Sequence, residues 1–234
     1  MEILQFSDVA ELAEKGAKLC GDLFMSSPSV NEAIVLTGGN TPISMYDSIV
    51  RMNPTVTDNI HIFFSDERMV PVYSGDSNFR AAGSMLRAIK FPEDRIYRVP
   101  TELGLMESAE AYNRKIQNFL DNGGIIRLAF MGLSEQGVTA SILDHSVLSE
   151  NNRFMIPLRV DDISREITVS PSVDRVTATP LFLNTVERLI FLVTGHSKKK
   201  ILDRFLNNPE STLAGLAVSS CSTVEVWADS EVLG

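Results

Sequence analysis

Apolar residues recur at helical spacing from about Asp8 to Phe24, at Val9, Leu12, Gly16, Leu19, Cys20 and Leu23, which predicts a helix behind the N-cap candidate Ser7. The pattern then becomes a continuous apolar run at Ala33–Thr37, broken by Gly38 and Gly39. Pro42 follows where the first turn of a helix tolerates a missing N–H, so the segment reads as strand, tight loop and helix. The alternation repeats with a strand in NIHIFF at 59–64, a polar loop to Asn78, a helix over Phe79–Ile89 and a strand over Ile96–Val99. Between Glu107 and Leu120, Ala109, Tyr112, Ile116, Phe119 and Leu120 form one helical stripe that Gly123 and Gly124 terminate.

IIRLAFMG at 125–132 is the next buried-strand candidate. RFMIPLRV at 153–160 and EITVS at 166–170 read as an antiparallel excursion, with Pro157 placing the first near a sheet edge. The chain returns to a buried strand in RLIFLVTG at 188–195, then helices over about Ser197–Phe205 and Thr212–Val218, and a last strand in STVEVWAD at 222–229. Strands alternating with helices predict an α/β fold. The expected architecture is a three-layer sandwich around a mainly parallel, modified doubly wound sheet, with the 234 residues forming one domain over 1–234.

Composition narrows the function classes. The chain is 44% hydrophobic and 22% charged, a globular balance, and its apolar runs are far shorter than the roughly 20 residues of a spanning helix. The opening MEILQFSDVAELAEKG carries acidic residues where a secretory signal would carry basic ones, so a cytoplasmic location is the default expectation. Cys20 and Cys221 lack the paired spacing of a zinc site or redox dithiol. A formal net charge of -9 opposes nucleic-acid binding, while a small anion remains admissible if positive groups gather locally. No metal-ligand spacing or dinucleotide glycine pattern is present, so no cofactor is expected. Oligomeric state is left open.

Four loops leave expected strand ends, where open parallel sheets bind ligands. TGGNTP at 37–42 offers Gly38, Gly39, Asn40 and Thr41 at a helix N-terminus suited to a phosphate, although the same residues serve any well-capped turn. SDERMVPVYSGDSNFR at 65–80 gathers Asp66, Glu67, Arg68, Asp76, Asn78 and Arg80, which alone would pass for a solvated loop. MGLSEQGVTASIL at 131–143 reads as a glycine-punctuated loop feeding a helix, with Thr139 as N-cap candidate. TGHSKKK at 194–200 sets Lys198 near a helix start, unfavourable against the dipole unless an anion is also present.

Together these loops resemble the 6-phosphogluconolactonase family, within the wider group of glucosamine-6-phosphate deaminases and isomerases. LTGGNTP is similar to that family's phosphate loop. SDERMVPVYSGDSNFR keeps its Asp-Glu-Arg, Val-Pro and Asp-Ser-Asn elements in order. RVTATPLFLNTVERLIFLVTGHSKK resembles its arginine-bearing strand, helix and Val-Thr-Gly-x-x-Lys end, and VEVWAD its last strand. The resemblance implies hydrolysis of 6-phosphoglucono-δ-lactone in the pentose phosphate pathway. It also implies phosphate binding by Gly38, Gly39, Asn40, Thr41 and Lys198, aided by Arg175, with Asp66 and Arg68 orienting sugar hydroxyls or the carbonyl.

The third loop departs from the family pattern. Ser134 replaces a glycine, Gln136 an aspartate, and Val138 the histidine that is the family's candidate for activating water, while Thr139, Ala140 and Ser141 match. Substitute bases are Asp66, Glu135 and His145. His145 lies seven positions beyond Val138, about 10 Å along a continuous helix, which argues against simple replacement. Two alternatives therefore stand beside hydrolysis. One is a sugar-phosphate-binding protein without turnover, and the other an amino-sugar-phosphate isomerase or deaminase, against which Arg68 counts because deaminases typically follow Asp-Glu with an aromatic residue.

Overall fold

The computed structural model describes residues 1–163 and 167–234. In chain order the elements are β1 (Glu2–Phe6), α1 (Val9–Phe24), β2 (Glu32–Leu36), α2 (Asn40–Met52), β3 (Ile60–Phe64), β4 (Asp66–Arg68), α3 (Asn78–Ala88), α4 (Leu105–Asp121) and β5 (Ile125–Gly132). There follow α5 (His145–Leu148), β6 (Met155–Leu158), β7 (Arg175–Ala178), α6 (Pro180–Leu183), β8 (Val186–Val193), α7 (Lys199–Asn207), α8 (Leu213–Ala217), β9 (Val224–Asp229) and α9 (Ser230–Leu233). A six-stranded sheet in the order β1-β9-β8-β5-β2-β3 is parallel throughout.

Alternate strand residues feed two cores. Ile34, Leu36, Phe64, Phe130 and Trp227 meet Leu12, Phe24, Met45 and Ile49 of α1 and α2 on one face. Val35, Phe63, Met131 and Phe191 meet Tyr112, Ile116 and Phe205 of α4 and α7 on the other. Being covered on both faces explains why these strands are continuous apolar runs rather than alternating ones. The expected three-layer sandwich is thus the architecture observed.

Several local expectations shift. Asp8, not Ser7, caps α1, its side chain accepting from Glu11 N–H at 2.8 Å, while Ser7 donates its N–H and hydroxyl to the Glu11 carboxylate. The strand expected over Ile96–Val99 is a single bridge between Ile62 and Ile96. Within EITVS, Glu166 lies outside the described residues and Ile167–Ser170 form no strand. The antiparallel excursion is real but differently composed: β4, β7 and β6 form a second sheet, with β6 and its Pro157 at an edge. β1 and β4 are strands beyond those expected, and at Asp66–Arg68 three residues are too few to carry a period.

Neighbouring β2 and β5 send their chains to opposite faces, α2 joining one core and Leu133, Val138 and Ile142 the other. This divergence opens a crevice at the strands' carboxyl ends, the switch point where doubly wound folds bind ligands.

Candidate functional site

A cavity of about 230 Å³ occupies that crevice. Its walls come from Gly38 and Gly39 after β2, Asp66 and Arg68 on β4, Asn78 at the start of α3, the 132–143 loop after β5, Arg175 on β7 and Lys198 after β8. All four loops singled out in the sequence therefore converge, although they span 160 residues between Gly38 and Lys198.

The β2 loop meets the cavity at the uncapped N-terminus of α2, where free N–H groups and the helix dipole favour an anion. Gly39 has φ +109°, a conformation that a side chain strongly disfavours. Asn40 and Thr41 do not line the cavity; Thr41 shares a 2.7 Å hydroxyl contact with Thr194, tying α2 to the end of β8.

On β4, Asp66, Glu67 and Arg68 have three different jobs. The Glu67 carboxylate accepts the N–H groups of Arg68, Asn78 and Phe79 at 2.7–2.8 Å and the Ser77 hydroxyl at 3.0 Å, so it anchors the start of α3 and faces away from solvent. Burial pushes its pKa up, opposed by those N–H donors. Arg68 turns back to donate to Asp76 O at 2.9 Å and Asn78 Oδ1 at 2.6 Å. Asp66 accepts from Ser65 Oγ at 2.9 Å and Ser141 Oγ at 2.7 Å. Arg175 in turn donates to Ser141 Oγ at 3.3 Å and to the carbonyls of Ser170 and Pro171 at 3.3 and 3.0 Å.

Half-buried Lys198 donates from Nζ to the Leu133 carbonyl. Burial holds its pKa below the ordinary lysine range, and Glu135 partly offsets this. Among the described residues, no carboxylate ion-pairs with Arg68, Arg175 or Lys198. Of the four buried side-chain polar atoms without a partner among the described residues, three belong to cavity residues: Arg68 Nε, Thr139 Oγ1 and Arg175 Nε.

The third loop is not the start of a helix. Residues 133–143 form two successive turns, and Thr139 caps nothing. Ser134 explains the first turn: its Oγ accepts Val138 N–H at 3.0 Å while its own N–H reaches Val138 O at 2.8 Å. Gly137 at φ +77° closes that turn, and Ala140 at φ +47° bends the second. Val138, 5% exposed, packs in the cavity wall beside Leu133 and Leu143. Glu135 is exposed on the turn outside the lining, and His145 is exposed at the start of α5, where Asp144 caps. Asp66 is thus the sole acidic lining residue among those described.

Asn78 and Ser141 are the residues sequence reading undervalued. Asn78 bonds Asp66 and Arg68 across the turn of its own 65–80 segment, and Ser141 bonds Asp66 from 75 residues away, contacts that spacing alone does not signal. Among the described residues no group of three or more His, Cys, Asp and Glu is arranged to hold a metal ion. No described helix is long and apolar enough to cross a membrane.

Residues 8–227 match the family model described as glucosamine-6-phosphate isomerases/6-phosphogluconolactonase. The 6-phosphogluconolactonase of Thermotoga maritima is 33% identical over 176 residues, 75% of this chain and 74% of the relative. A crystal structure of 6-phosphogluconolactonase from the same organism superposes with a TM-score of 0.78 at 27% identity, covering 97% of this chain and 98% of the other. A monomeric glucosamine-6-phosphate deaminase shares the fold, with a TM-score of 0.76 at 17% identity over 100% and 99% of the two chains. A family match across nearly the whole length, on a crevice assembled from the same four loops, means that the chain belongs to the glucosamine-6-phosphate isomerase/6-phosphogluconolactonase family.

Proposed function

We propose that the protein hydrolyses 6-phosphoglucono-δ-lactone to 6-phosphogluconate. The observation that carries this reading is the convergence of three cationic side chains, without carboxylate partners among the described residues, and one buried carboxylate on a single cavity beside a helix N-terminus. Lys198, Gly38 and Gly39 would take the phosphate, since the backbone of a glycine loop at the positive end of the α2 dipole and an ammonium are complementary to a dianion. Arg68 and Arg175 would face the lactone carbonyl and hydroxyls, their guanidinium charges stabilising charge that develops on oxygen.

Asp66 is the base favoured by its position in the wall. A water oxygen bonds to the lactone carbonyl carbon while Asp66 takes its proton; the ring C–O bond then breaks, and the same proton passes to the departing ring oxygen. Ser65 and Ser141 would hold the carboxylate in place for both transfers. General-base assistance of this kind is worth about 10²- to 10⁴-fold.

Val138 favours a second reading, a sugar-phosphate-binding protein without turnover, because a buried aliphatic side chain occupies the wall where the family carries its histidine. Lactone generated in situ separates the two. Wild type clearly faster than the spontaneous background, with Lys198→Ala no faster than background, supports hydrolysis. Wild type equal to background while Val138→His gains activity supports binding alone.

A further inference from the structure

Asn78 is where three parts of the cavity meet. Its Oδ1 accepts from Arg68 Nη1 at 2.6 Å, and its Nδ2 donates to the Asp66 carbonyl at 2.9 Å. Its backbone N–H is held by Glu67 Oε1 at 2.7 Å, so the amide is pinned at both ends. On its other side lies Gly38. A Cβ there would overlap Asn78 Oδ1 and lie 2.7 Å from Asn78 Cγ. Gly39 needs glycine for its left-handed backbone, but Gly38 has no such conformation. The pinned amide is what excludes a side chain at position 38.

We propose that Asn78 is a positioning residue: its amide fixes the Arg68 guanidinium against the Gly38–Gly39 loop and so sets the spacing between two anion-binding parts of the cavity. This rests on the sugar-phosphate reading above and extends it to a residue acting through Arg68 and Gly38. The chemistry demands an amide. One atom must accept from a guanidinium and the other must donate to a carbonyl. Aspartate would turn a carboxylate oxygen towards the Asp66 carbonyl and capture Arg68 as an ion pair, whereas alanine would leave the guanidinium only its contact with the Asp76 carbonyl.

The test has a structural and a binding arm. In ¹⁵N spectra of the arginine side chains, the Arg68 guanidinium should be restrained in the ligand-free wild type and mobile in Asn78→Ala. By calorimetry with 6-phosphogluconate, Asn78→Ala and Asn78→Asp should each weaken affinity about tenfold or more, Asn78→Asp without loss of Arg68 restraint. Gly38→Ala should do the same alone but add less than about threefold in the Asn78→Ala background, the non-additivity expected of residues in contact. There the nearest remaining atom, Asn78 Cβ, sits at an ordinary 3.4 Å. Arg68 equally restrained in Asn78→Ala, or an unchanged Gly38→Ala penalty in both backgrounds, overturns the proposal. If the wild type binds no 6-phosphogluconate, the sugar-phosphate reading falls. The spectra and the coupling of the two substitutions in melting temperature then still decide the role of Asn78.

Discussion

At the scale of single residues, the site is a set of charges whose usefulness depends on what each is prevented from doing. Lys198 is partly desolvated and has no carboxylate ion pair among the described residues, and that burial makes it shed its proton at a lower pH than an ordinary lysine. Anion binding needs the charged form. The affinity for 6-phosphogluconate should therefore fall with rising pH before the usual lysine range is reached, and Lys198→Arg should push that alkaline limb upward; calorimetry across alkaline pH reads both. Asp66 is prevented from ion-pairing directly with Arg175 by Ser141, which stands between them. Asp66→Asn should lower the lactonase rate constant about 10²-fold or more while 6-phosphogluconate still binds, a split that kinetics and calorimetry together report. Val138→His places an imidazole in the wall and should raise turnover.

At the scale of elements, buried caps carry the site's rigidity. The start of α3 is held by Ser77, which accepts Arg80 N–H at 3.1 Å and donates to Glu67 at 3.0 Å. Ser77→Ala removes the cap and should cost about 1 kcal/mol by urea unfolding. Because Asn78 follows directly, the same substitution should also loosen Arg68 and weaken 6-phosphogluconate binding. At the far side, Asp229 accepts Gly195 N–H at 3.2 Å and Val232 N–H at 3.0 Å, so the last strand steadies the turn that delivers Lys198. Short elements do this work. β4 is three residues long, yet its antiparallel pairing with β7 brings Asp66 and Arg68 to the same sheet as Arg175.

At the scale of the molecule, two cores share one sheet, and the cavity lies at its carboxyl edge rather than within either core. Trp227 shows the separation. It is fully buried against Phe6 and Phe130, with its indole N–H donated to Glu225 at 2.8 Å, and it does not line the cavity. Trp227→Ala should therefore cost roughly 3–5 kcal/mol of stability by circular dichroism in denaturant, while the fraction that remains folded binds 6-phosphogluconate with wild-type affinity.

Much of this was legible in the chain itself. The apolar runs at Ala33–Thr37, 125–132 and 188–195 required strands covered on both faces, and their alternation with helical stripes required a parallel α/β sheet. The glycines of the first loop and the Asp-Glu-Arg element marked two walls of the cavity. What only the tertiary structure decided is which of those residues meet. Glu135 and His145 have suitable chemistry but stand outside the lining, and Asn78 and Ser141, to which the sequence assigned no role, bond Arg68 and Asp66. Periodicity reports how a residue faces its own element, whereas a site is made of contacts between elements distant in sequence, as where a Cβ at position 38 would strike Asn78.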